Sequence, residues 1–344
     1  MNGHPGGLDR ARRTKGARTA AAVVVFWALI GWALIGAAAP PAGGSVAGPP
    51  PGPCGTLTYP SGAPPVYQHI VVIMDENLSL AHEKQSGQAT FLHQLKTQCG
   101  SYSNMHAATH PSQANYMAAT SGKATSSGVY SSADNIFAQV ERYGGSARNY
   151  AESLPDGCPR SQNSTPQWKA GHAPAFWYTD LAQAKGCKTD LVPISQLYDD
   201  IASDLLPTYA WVTPDACNDM HWLATCGYPQ TSRVGVGDAW LSTLVDQLTS
   251  TPSYLAGQTL VIVTFDEGDG PATYGADCTA RSYYQSHPDC RIATLVASPY
   301  IVPGAVDGSD QNLYSLLGTI EDILGYPRLG AAVGQGSMRP GLHF

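Results

Sequence analysis

Four short apolar segments constrain the fold of this chain more than any other feature of its sequence. They are HIVVIM at 69–74, TYAWVT at 208–213, TLVIVTF at 259–265 and IATLVAS at 292–298. Continuous apolar runs of this length, without strict alternation, are typical of strands that are covered on both faces, as in a parallel sheet. Each run is followed by turn-forming or polar residues, which mark its end.

Amphipathic helical patterns lie between these segments, at 90–98, 134–143, 194–205, 238–250 and 312–325. Alternation of strands and helices is the pattern of a layered α/β fold. The sequence therefore predicts a three-layer α/β/α sandwich with a mainly parallel central sheet. Two stretches rich in Cys, Pro and Gly, 150–190 and 266–290, are predicted to be irregular insertions over one edge of that sheet.

The N-terminal region has the pattern of a targeting segment. Five basic residues between 10 and 18 precede an uncharged apolar run at 20–39. This predicts a secretory signal peptide or a signal anchor within 1–39, and the run is long enough to span a bilayer, so both readings stay open. A Pro/Gly/Ala-rich linker is predicted at 40–65, followed by the catalytic domain at 66–344. The protein is expected to be secreted, or held at the membrane by 20–39.

The charge balance argues against some classes of partner. Residues 1–39 contain five of the 19 basic residues and one of the 26 acidic ones, which leaves a net charge of −11 on the remainder. A surface this acidic disfavours binding to nucleic acid or to anionic membranes through its overall field. An anionic substrate would need a local counter-charge, and a metal ion is the obvious candidate.

All eight cysteines follow the apolar run. An even number of cysteines in an exported chain predicts disulfides. Cys217–Cys226 and Cys278–Cys290 are the expected local pairs because each would close a short loop. The spacing of the cysteines and histidines does not match a structural zinc site.

Acidic residues follow two of the predicted strands. Asp75, Glu76 and Asn77 come directly after the first strand, and Asp266 and Glu267 come after TLVIVTF. Ligands of such sheets bind beyond the carboxyl ends of the strands, and carboxylate and amide oxygens suit a hard divalent cation. Two unrelated polar turns, or a calcium loop at 266–270, are the alternative interpretations.

A third motif, HPSQANYMAATSG, predicts a helix that begins near Pro111 and places Ser112 in its first turn. Free backbone N–H groups at that position favour a phosphate or an oxyanion, and a serine near a divalent metal can act as a nucleophile. Asn115 lies on the same helical face and is a candidate donor to a phosphoryl oxygen. The alternative is that Ser112 only caps the helix.

Two histidines lie in loops that contain aromatic residues. His221 follows the strand at 208–213 in the stretch NDMHW, and His172 lies in WKAGHAPAFWY. His221 is a candidate general acid, phosphate contact or metal ligand. Either histidine is also compatible with a purely structural or exposed position.

Nine motifs occur in the order seen in one protein family: IVVIMDENLS, HPSQANYMAATSG, NYAESLP, GHAPAFWY, NDMHW, GDAWL, VIVTFDEG, TLVASPYIVPG and YSLLGTIEDILG. Over about residues 66–330 the chain resembles the bacterial phosphoesterases that include acid phosphatases and phospholipases C, which are related in fold to alkaline phosphatase. The resemblance implies one divalent metal ion, Mg, Ca, Mn or Zn, bound by Glu76, Asn77, Asp266 and Glu267. It implies Ser112 as the nucleophile, with His172 and His221 near the phosphoryl group. His106 and His110 fit the pattern around Ser112, and His110 is expected to contact substrate.

The resemblance implies an exported, acid-phosphatase-like enzyme that hydrolyses phosphate esters through a phosphoserine. Trp222 and Arg291 depart from the pattern of the family, which leaves substrate preference and a second metal open. A phospholipase C or a sulfate-ester hydrolase on the same fold is one alternative, and it would place an apolar rim on the loop at 173–181. An inactive exported binding module is the other. A phosphate-ester small molecule or a phospholipid head group is the expected partner, and nucleic acid is not.

Overall fold

The computed structural model describes residues 52–58, 63–156, 166–182, 190–270 and 273–344. The predicted targeting segment at 1–39 and most of the predicted linker lie outside these residues. Within the described ranges, no helix is both long enough and apolar enough to cross a membrane. The apolar run at 20–39 is not among them, so the choice between signal peptide and anchor stays a prediction.

The centre of the fold is a nine-stranded sheet. Its order is β4-β3-β5-β1-β6-β7-β2-β8, and β9 pairs with β2. The strands are β1 His69–Asp75, β2 Gly100–His106, β3 Ala147–Ala151, β4 Leu191–Pro193, β5 Tyr209–Thr213, β6 Thr259–Phe265, β7 Arg291–Ala297, β8 Val306–Asp307 and β9 Gln311–Asn312. The pairs that β7 forms with β6 and β2 are antiparallel and the others are parallel. The four apolar runs are β1, β5, β6 and β7, and the predicted mainly parallel α/β sheet is confirmed.

Helices flank the sheet. They are α1 Leu80–Gln85, α2 Thr90–Gln98, α3 Ser112–Ser121, α4 Ile136–Arg142, α5 Thr179–Ala182, α6 Ile194–Ser203, α7 Arg233–Thr249, α8 Pro252–Leu255, α9 Arg281–Tyr284, α10 Leu313–Leu324 and α11 Arg339–Leu342. Helix α2 packs against α7, and α3 packs against α10. All five amphipathic patterns form helices, although α7 begins five residues before the pattern predicted at 238–250.

The central strands bring the acidic motifs together. Every residue of β6, and of β1 after His69, is buried. The two strands run parallel in a register that pairs Asp75 with Phe265. Glu76 and Asp266, the next residues on each strand, therefore leave the sheet side by side at its carboxyl edge. Removal of this apolar surface from water holds the two strand ends in place.

The region predicted to be irregular at 150–190 contains part of the sheet. Strand β3, which begins at Ala147, extends two residues into that region, and β4 starts at Leu191, directly after its end. Short strands that contain polar residues such as Arg148 and Asn149 do not form a recognisable apolar run, which is why the pattern missed them. Residues 173–178, expected as an apolar rim, are buried instead.

Three disulfides are present among the described residues. Cys217–Cys226 and Cys278–Cys290 form as predicted. The third disulfide joins Cys99 to Cys54, which lies in the predicted flexible linker but is only 3% exposed. Cys54 belongs to the same compact unit as the described residues after 66, so the chain around Cys54 is attached to the domain.

Candidate active site

The site begins where β1 and β6 end. The backbone N–H of Asn77 donates to Asp266 Oδ1 at 3.1 Å, and the same oxygen accepts from the N–H of Glu267 at 2.7 Å. Asn77 has a φ of 49°, in the left-handed region that asparagine tolerates better than most residues. This turn carries Glu76 and Asn77 across to the end of β6. The metal ligands implied by the two motifs therefore lie in a single cluster.

Ser112 lies between two buried carboxylates. It is the first residue of α3, and its Oγ is 3.1 Å from Glu76 Oε2 and 3.2 Å from Glu267 Oε1. A serine hydroxyl has one hydrogen to donate, yet it faces an anionic acceptor on each side. Its side chain does not cap the helix, so the capping interpretation is not supported.

The loop before Ser112 is held by Asn115. The Oδ1 of Asn115 accepts from the N–H groups of Ala108 and Thr109, both at 2.9 Å, and its Nδ2 donates to the Thr109 carbonyl at 2.8 Å. Nδ2 also lies 3.3 Å from Glu267 Oε2. The side chain positions the loop that leads to Ser112, and the predicted substrate contact of Asn115 stays a prediction.

Two histidines, both expected near the phosphoryl group, flank Glu76, and their contact with substrate stays a prediction. His172 Nε2 is 3.3 Å from Glu76 Oε1, and His221 Nδ1 is 3.5 Å from Glu76 Oε2. The His172 ring is buried and stacks on Tyr116 with centroids 5.4 Å apart. The side chain of His221 is 48% exposed, so it is the histidine that a substrate can reach.

Asp219 is a site residue that the sequence reasoning did not single out. Its Oδ1 accepts from the His221 N–H at 2.8 Å, and its Oδ2 is 3.5 Å from His172 Nδ1. Its carbonyl also accepts from the Glu76 N–H at 2.8 Å. The stretch NDMHW contained this residue, but the pattern alone gave no role to the aspartate beside His221.

His110 lies behind the site rather than in it. It is 1% exposed, with Nδ1 2.6 Å from Glu267 Oε2 and Nε2 2.9 Å from Asp289 Oδ2. Contact with substrate, which the resemblance implied, does not fit this position. The sulfurs of Cys278 and Cys290 are also within 4.8 Å of its ring, but they form a disulfide and offer no thiolate to a metal.

Arg233 joins the two loops of the site and was also missed by the sequence reasoning. Its guanidinium donates to the carbonyls of Asn77, at 3.2 Å, and of Met220. It also pairs with Asp269 at 2.8 Å. The residue stands at the start of α7 and belongs to no recognisable motif, so only the fold reveals its position.

The buried charges shift the acid strengths of the site. Burial raises the pKa of Asp75, Asp219 and Asp266, and repulsion between neighbouring carboxylates raises it further. Burial would also raise the pKa of Glu76, but the charge of His172 and the contact with His221 outweigh it and hold that pKa at about 2.

The same interactions keep the histidines protonated to higher pH. Contact with Glu76 raises the pKa of His221. Burial would lower the pKa of His172, but the negative charges of Glu76 and Asp219 outweigh it. The two shifts have the same cause, because the negative charge of Glu76 favours the protonated form of each histidine beside it.

The donor set fits a divalent cation. Several buried carboxylate oxygens find no hydrogen-bond donor among the described residues: both oxygens of Asp75, Glu76 Oε1, Asp219 Oδ2 and Asp266 Oδ2. Buried anions of this kind are costly unless a cation or a donor compensates them. Glu76, Asn77, Asp266 and Glu267 offer the hard oxygen ligands that Mg, Ca or Mn prefer, and carboxylates also bind zinc.

The chain matches a known protein family over most of its length. The model of the phosphoesterase family matches residues 83–327. The chain belongs to the phosphoesterase family. It is therefore a hydrolase that acts on phosphoric ester bonds. The matched residues include Ser112, His172, His221 and the acidic pair at 266–267, whereas Glu76 and Asn77 lie just before them.

Two curated relatives of this phosphoesterase are similar over most of its length. The phosphatidylinositol-3-phosphatase of Mycobacterium tuberculosis is 25% identical over 274 residues, which cover 78% of this chain and 80% of the relative. The acid phosphatase of Aspergillus fumigatus is 25% identical over 243 residues, 66% of this chain and 48% of the relative. The chain thus spans about half the length of the fungal enzyme.

A solved structure supports the predicted fold class. An alkaline phosphatase superfamily protein from Vibrio parahaemolyticus aligns with a TM-score of 0.54 and 14% identity, over 81% of this phosphoesterase and 74% of that chain. At this identity the similarity concerns the fold alone. The alkaline-phosphatase-like architecture is thereby confirmed.

Proposed function

We propose that this phosphoesterase is an exported, metal-dependent phosphatase that resembles acid phosphatases and works through a phosphoserine at Ser112. One observation carries the proposal: Ser112 Oγ lies 3.1 and 3.2 Å from oxygens of Glu76 and Glu267, at the start of a ten-residue helix. A hydroxyl between two buried anions is the arrangement expected of a nucleophile whose proton can be removed and whose substrate is bound through a cation.

Glu76, Asn77, Asp266 and Glu267 would hold the metal ion. When bound, the ion supplies positive charge that lowers the pKa of the serine hydroxyl and stabilises the anionic phosphoryl group. This local charge explains how a chain with a net charge of −7 can act on an anionic ester. Without it, the carboxylates of the site would repel a phosphate.

Residues of the chain would carry out the proton transfers and the nucleophilic attack. The Ser112 hydroxyl passes its proton to a neighbouring carboxylate and attacks phosphorus, while the free N–H groups at the start of α3 donate to the phosphoryl oxygens. His221, exposed and held protonated by Glu76, donates its proton to the leaving oxygen as the ester bond breaks. The neutral His221 next takes a proton from water, which attacks phosphorus. The bond between phosphorus and Ser112 Oγ breaks, Ser112 takes its proton back from the carboxylate, and phosphate is released. His172 stays beneath Glu76 and fixes its orientation.

A phosphate monoester is the substrate class best supported. Both curated relatives are named as phosphatases. The apolar rim expected of a phospholipase is missing at 173–178, where the side chains are buried in the domain. Export is supported by the three disulfides, which are typical of oxidising compartments, together with the predicted targeting segment.

The test uses the oxidised protein with p-nitrophenyl phosphate and with p-nitrophenyl phosphorylcholine, a diester. We expect faster hydrolysis of the monoester, loss of activity after EDTA treatment, and recovery on addition of Mg, Ca, Mn or Zn. Ser112→Ala should lower kcat by about a thousand-fold or more, as removal of a nucleophile does. Ser127→Ala, at an exposed serine outside the site, should leave it unchanged. Mass spectrometry of acid-quenched wild-type protein should find phosphate on Ser112.

Three results would contradict the proposal in different ways. Equal hydrolysis by Ser112→Ala and wild type would remove Ser112 as the nucleophile. Full activity after complete removal of metal would refute the metal dependence. Faster hydrolysis of the diester would favour a phosphodiesterase, and no hydrolysis of either ester would favour a binding module.

A further inference from the structure

We infer that Asp289 is a positioning residue for the reaction: it acts through His110 on Glu267, and the Cys278–Cys290 disulfide fixes it in place. The inference rests on the proposed function, because Glu267 is there a metal ligand and a neighbour of the nucleophile. It assigns a purpose to a buried histidine that neither binds substrate nor lies on the surface.

The three side chains form a continuous buried chain. His110 Nδ1 forms a hydrogen bond with Glu267 Oε2 at 2.6 Å. His110 Nε2 lies 2.9 Å from Asp289 Oδ2, an ion-pair contact without hydrogen-bond geometry, and neither of these two atoms has another partner among the described residues. Asp289 is 2% exposed and His110 is 1% exposed. An imidazole whose two nitrogens each face a carboxylate cannot turn without breaking one contact, so the ring has a single orientation.

These contacts leave the two carboxylate oxygens of Glu267 with different partners. Oε2 is held by His110 and, at 3.3 Å, by Asn115 Nδ2. Oε1 is left for Ser112 Oγ, at 3.2 Å, and for a metal ion. A carboxylate that is oriented by partners behind it binds a metal more tightly than one that rotates freely, and loss of such a partner typically weakens metal binding 10- to 100-fold.

The disulfide closes the loop that carries Asp289, and backbone hydrogen bonds join this loop to the one that carries His110. Cys290 follows Asp289 directly, and its carbonyl accepts from the Ala107 N–H at 2.8 Å. Its partner Cys278 donates its N–H to the Ala108 carbonyl at 3.1 Å. The Gly275 N–H donates to the carbonyl of His110 itself at 2.8 Å. The loop that carries Asp289 is thus attached to the loop that carries His110 at three points.

Glycines let Asp289 approach the acidic motif after β6. The Gly268 N–H donates to the Asp289 carbonyl at 2.7 Å. A Cβ atom at Gly268 would come within 2.6 Å of that carbonyl oxygen, and one at Gly270 within 2.7 Å of Asp289 Cβ. Any larger residue at these positions would push Asp289 away from His110.

The first test compares metal binding by wild type, Asp289→Asn and His110→Ala, in calorimetric titrations of the apoprotein with Mn²⁺. We expect dissociation constants 10- to 100-fold weaker than wild type in both variants. Asp310→Asn is the matched control, because Asp310 also accompanies a buried histidine, His106, at 3.5 Å but lies outside the site. It should bind Mn²⁺ as wild type does. Thermal unfolding shows whether a variant that binds weakly is still folded.

The second test separates positioning from general support of the fold. In a double-mutant cycle on kcat/KM, Asp289→Asn should have little further effect in the Glu267→Gln background, because both changes act on one carboxylate. His110→Asn keeps a donor near the position of Nδ1 and should therefore retain more activity than His110→Ala. Additive effects of Asp289→Asn and Glu267→Gln, or unchanged Mn²⁺ binding by Asp289→Asn, would overturn the inference.

The two tests also distinguish this inference from the proposed function. Wild type that hydrolyses the ester without binding any metal would refute the metal dependence, and the double-mutant cycle would still decide the role of Asp289. Wild type that binds Mn²⁺ without hydrolysing either ester would refute the activity, and the titrations would decide. Wild type that does neither would overturn both proposals.

Discussion

The Cys54–Cys99 disulfide closes the longest loop of the three described and should therefore contribute most to stability. Its cysteines are 45 residues apart, against 12 for Cys278–Cys290. The entropy that a crosslink removes from the unfolded chain grows with the logarithm of loop length, which gives about 4 kcal/mol for the longer loop and about 3 kcal/mol for the shorter one. All four cysteines are buried, so the loss of packing is similar in the two pairs.

The assay is urea unfolding of the oxidised protein with each pair replaced by alanine. Cys54→Ala/Cys99→Ala should lose about 1 kcal/mol more free energy of unfolding than Cys278→Ala/Cys290→Ala. Catalysis should show the opposite order. Cys99 precedes the start of β2, whereas the active site lies beyond the end of that strand, so kcat/KM should change little in the first variant and fall in the second.

An equal or smaller loss in the Cys54/Cys99 variant would refute the argument from loop length. A variant as stable as wild type would show that the segment around Cys54 is not attached to the domain in solution.

Two further predictions concern Arg233 and Glu321. Arg233→Ala should lower kcat/KM at least about ten-fold, as loss of other positioning contacts does, because it frees the carbonyls of Asn77 and Met220 and so loosens both loops of the site. Arg142→Ala, which breaks an exposed ion pair, is the control. Equal activity of the two variants would contradict this role of Arg233. Burial raises the pKa of Glu321 to about 8. Between about pH 4.5 and pH 8, Glu321 therefore keeps its proton in the folded state but has lost it in the unfolded state. The free energy of unfolding falls as pH rises through this window. This loss in the free energy of unfolding amounts to at most about 1.4 kcal/mol per pH unit, and Glu321→Gln should remove it. In urea unfolding, Glu321→Gln should therefore be more stable than wild type at pH 8 but not at pH 4. A parallel pH dependence of the two proteins would be incompatible with the shifted pKa.

The sequence predicted the features that depend on short-range pattern. Strands β1 and β6 are predominantly apolar, and the acidic residues at their ends lie side by side because parallel strands end at the same edge. The position of Ser112 at the start of a helix followed from Pro111 and from the apolar pattern after it. The sequence therefore predicted the residues of the site that lie at the ends of strands or at the start of a helix.

The missed residues depend on tertiary contacts. Asp289 stands before a strand, and only the antiparallel direction of β7 brings the start of that strand to the active edge. A run such as IATLVAS does not reveal its direction in the sheet. Asp219 and Arg233 act through contacts with residues distant in sequence, Glu76 and Asn77, and such pairings are fixed by the fold rather than by local pattern.

The reversed direction of β7 also has a consequence for how this enzyme can be altered. The chain leaves the active edge after β6 and returns to the same edge before β7, so residues 266–290 make an excursion that does not cross the sheet. The Cys278–Cys290 bridge closes the second half of this excursion, and Asp266 and Glu267 occupy its first two positions. The segment between them can be lengthened, shortened or exchanged with that of another phosphatase while the hydrogen bonds of the sheet stay intact. It is the natural place for diversifying substrate range by loop grafting, provided that Gly268, Gly270, Gly275, Cys278, Asp289 and Cys290 are kept.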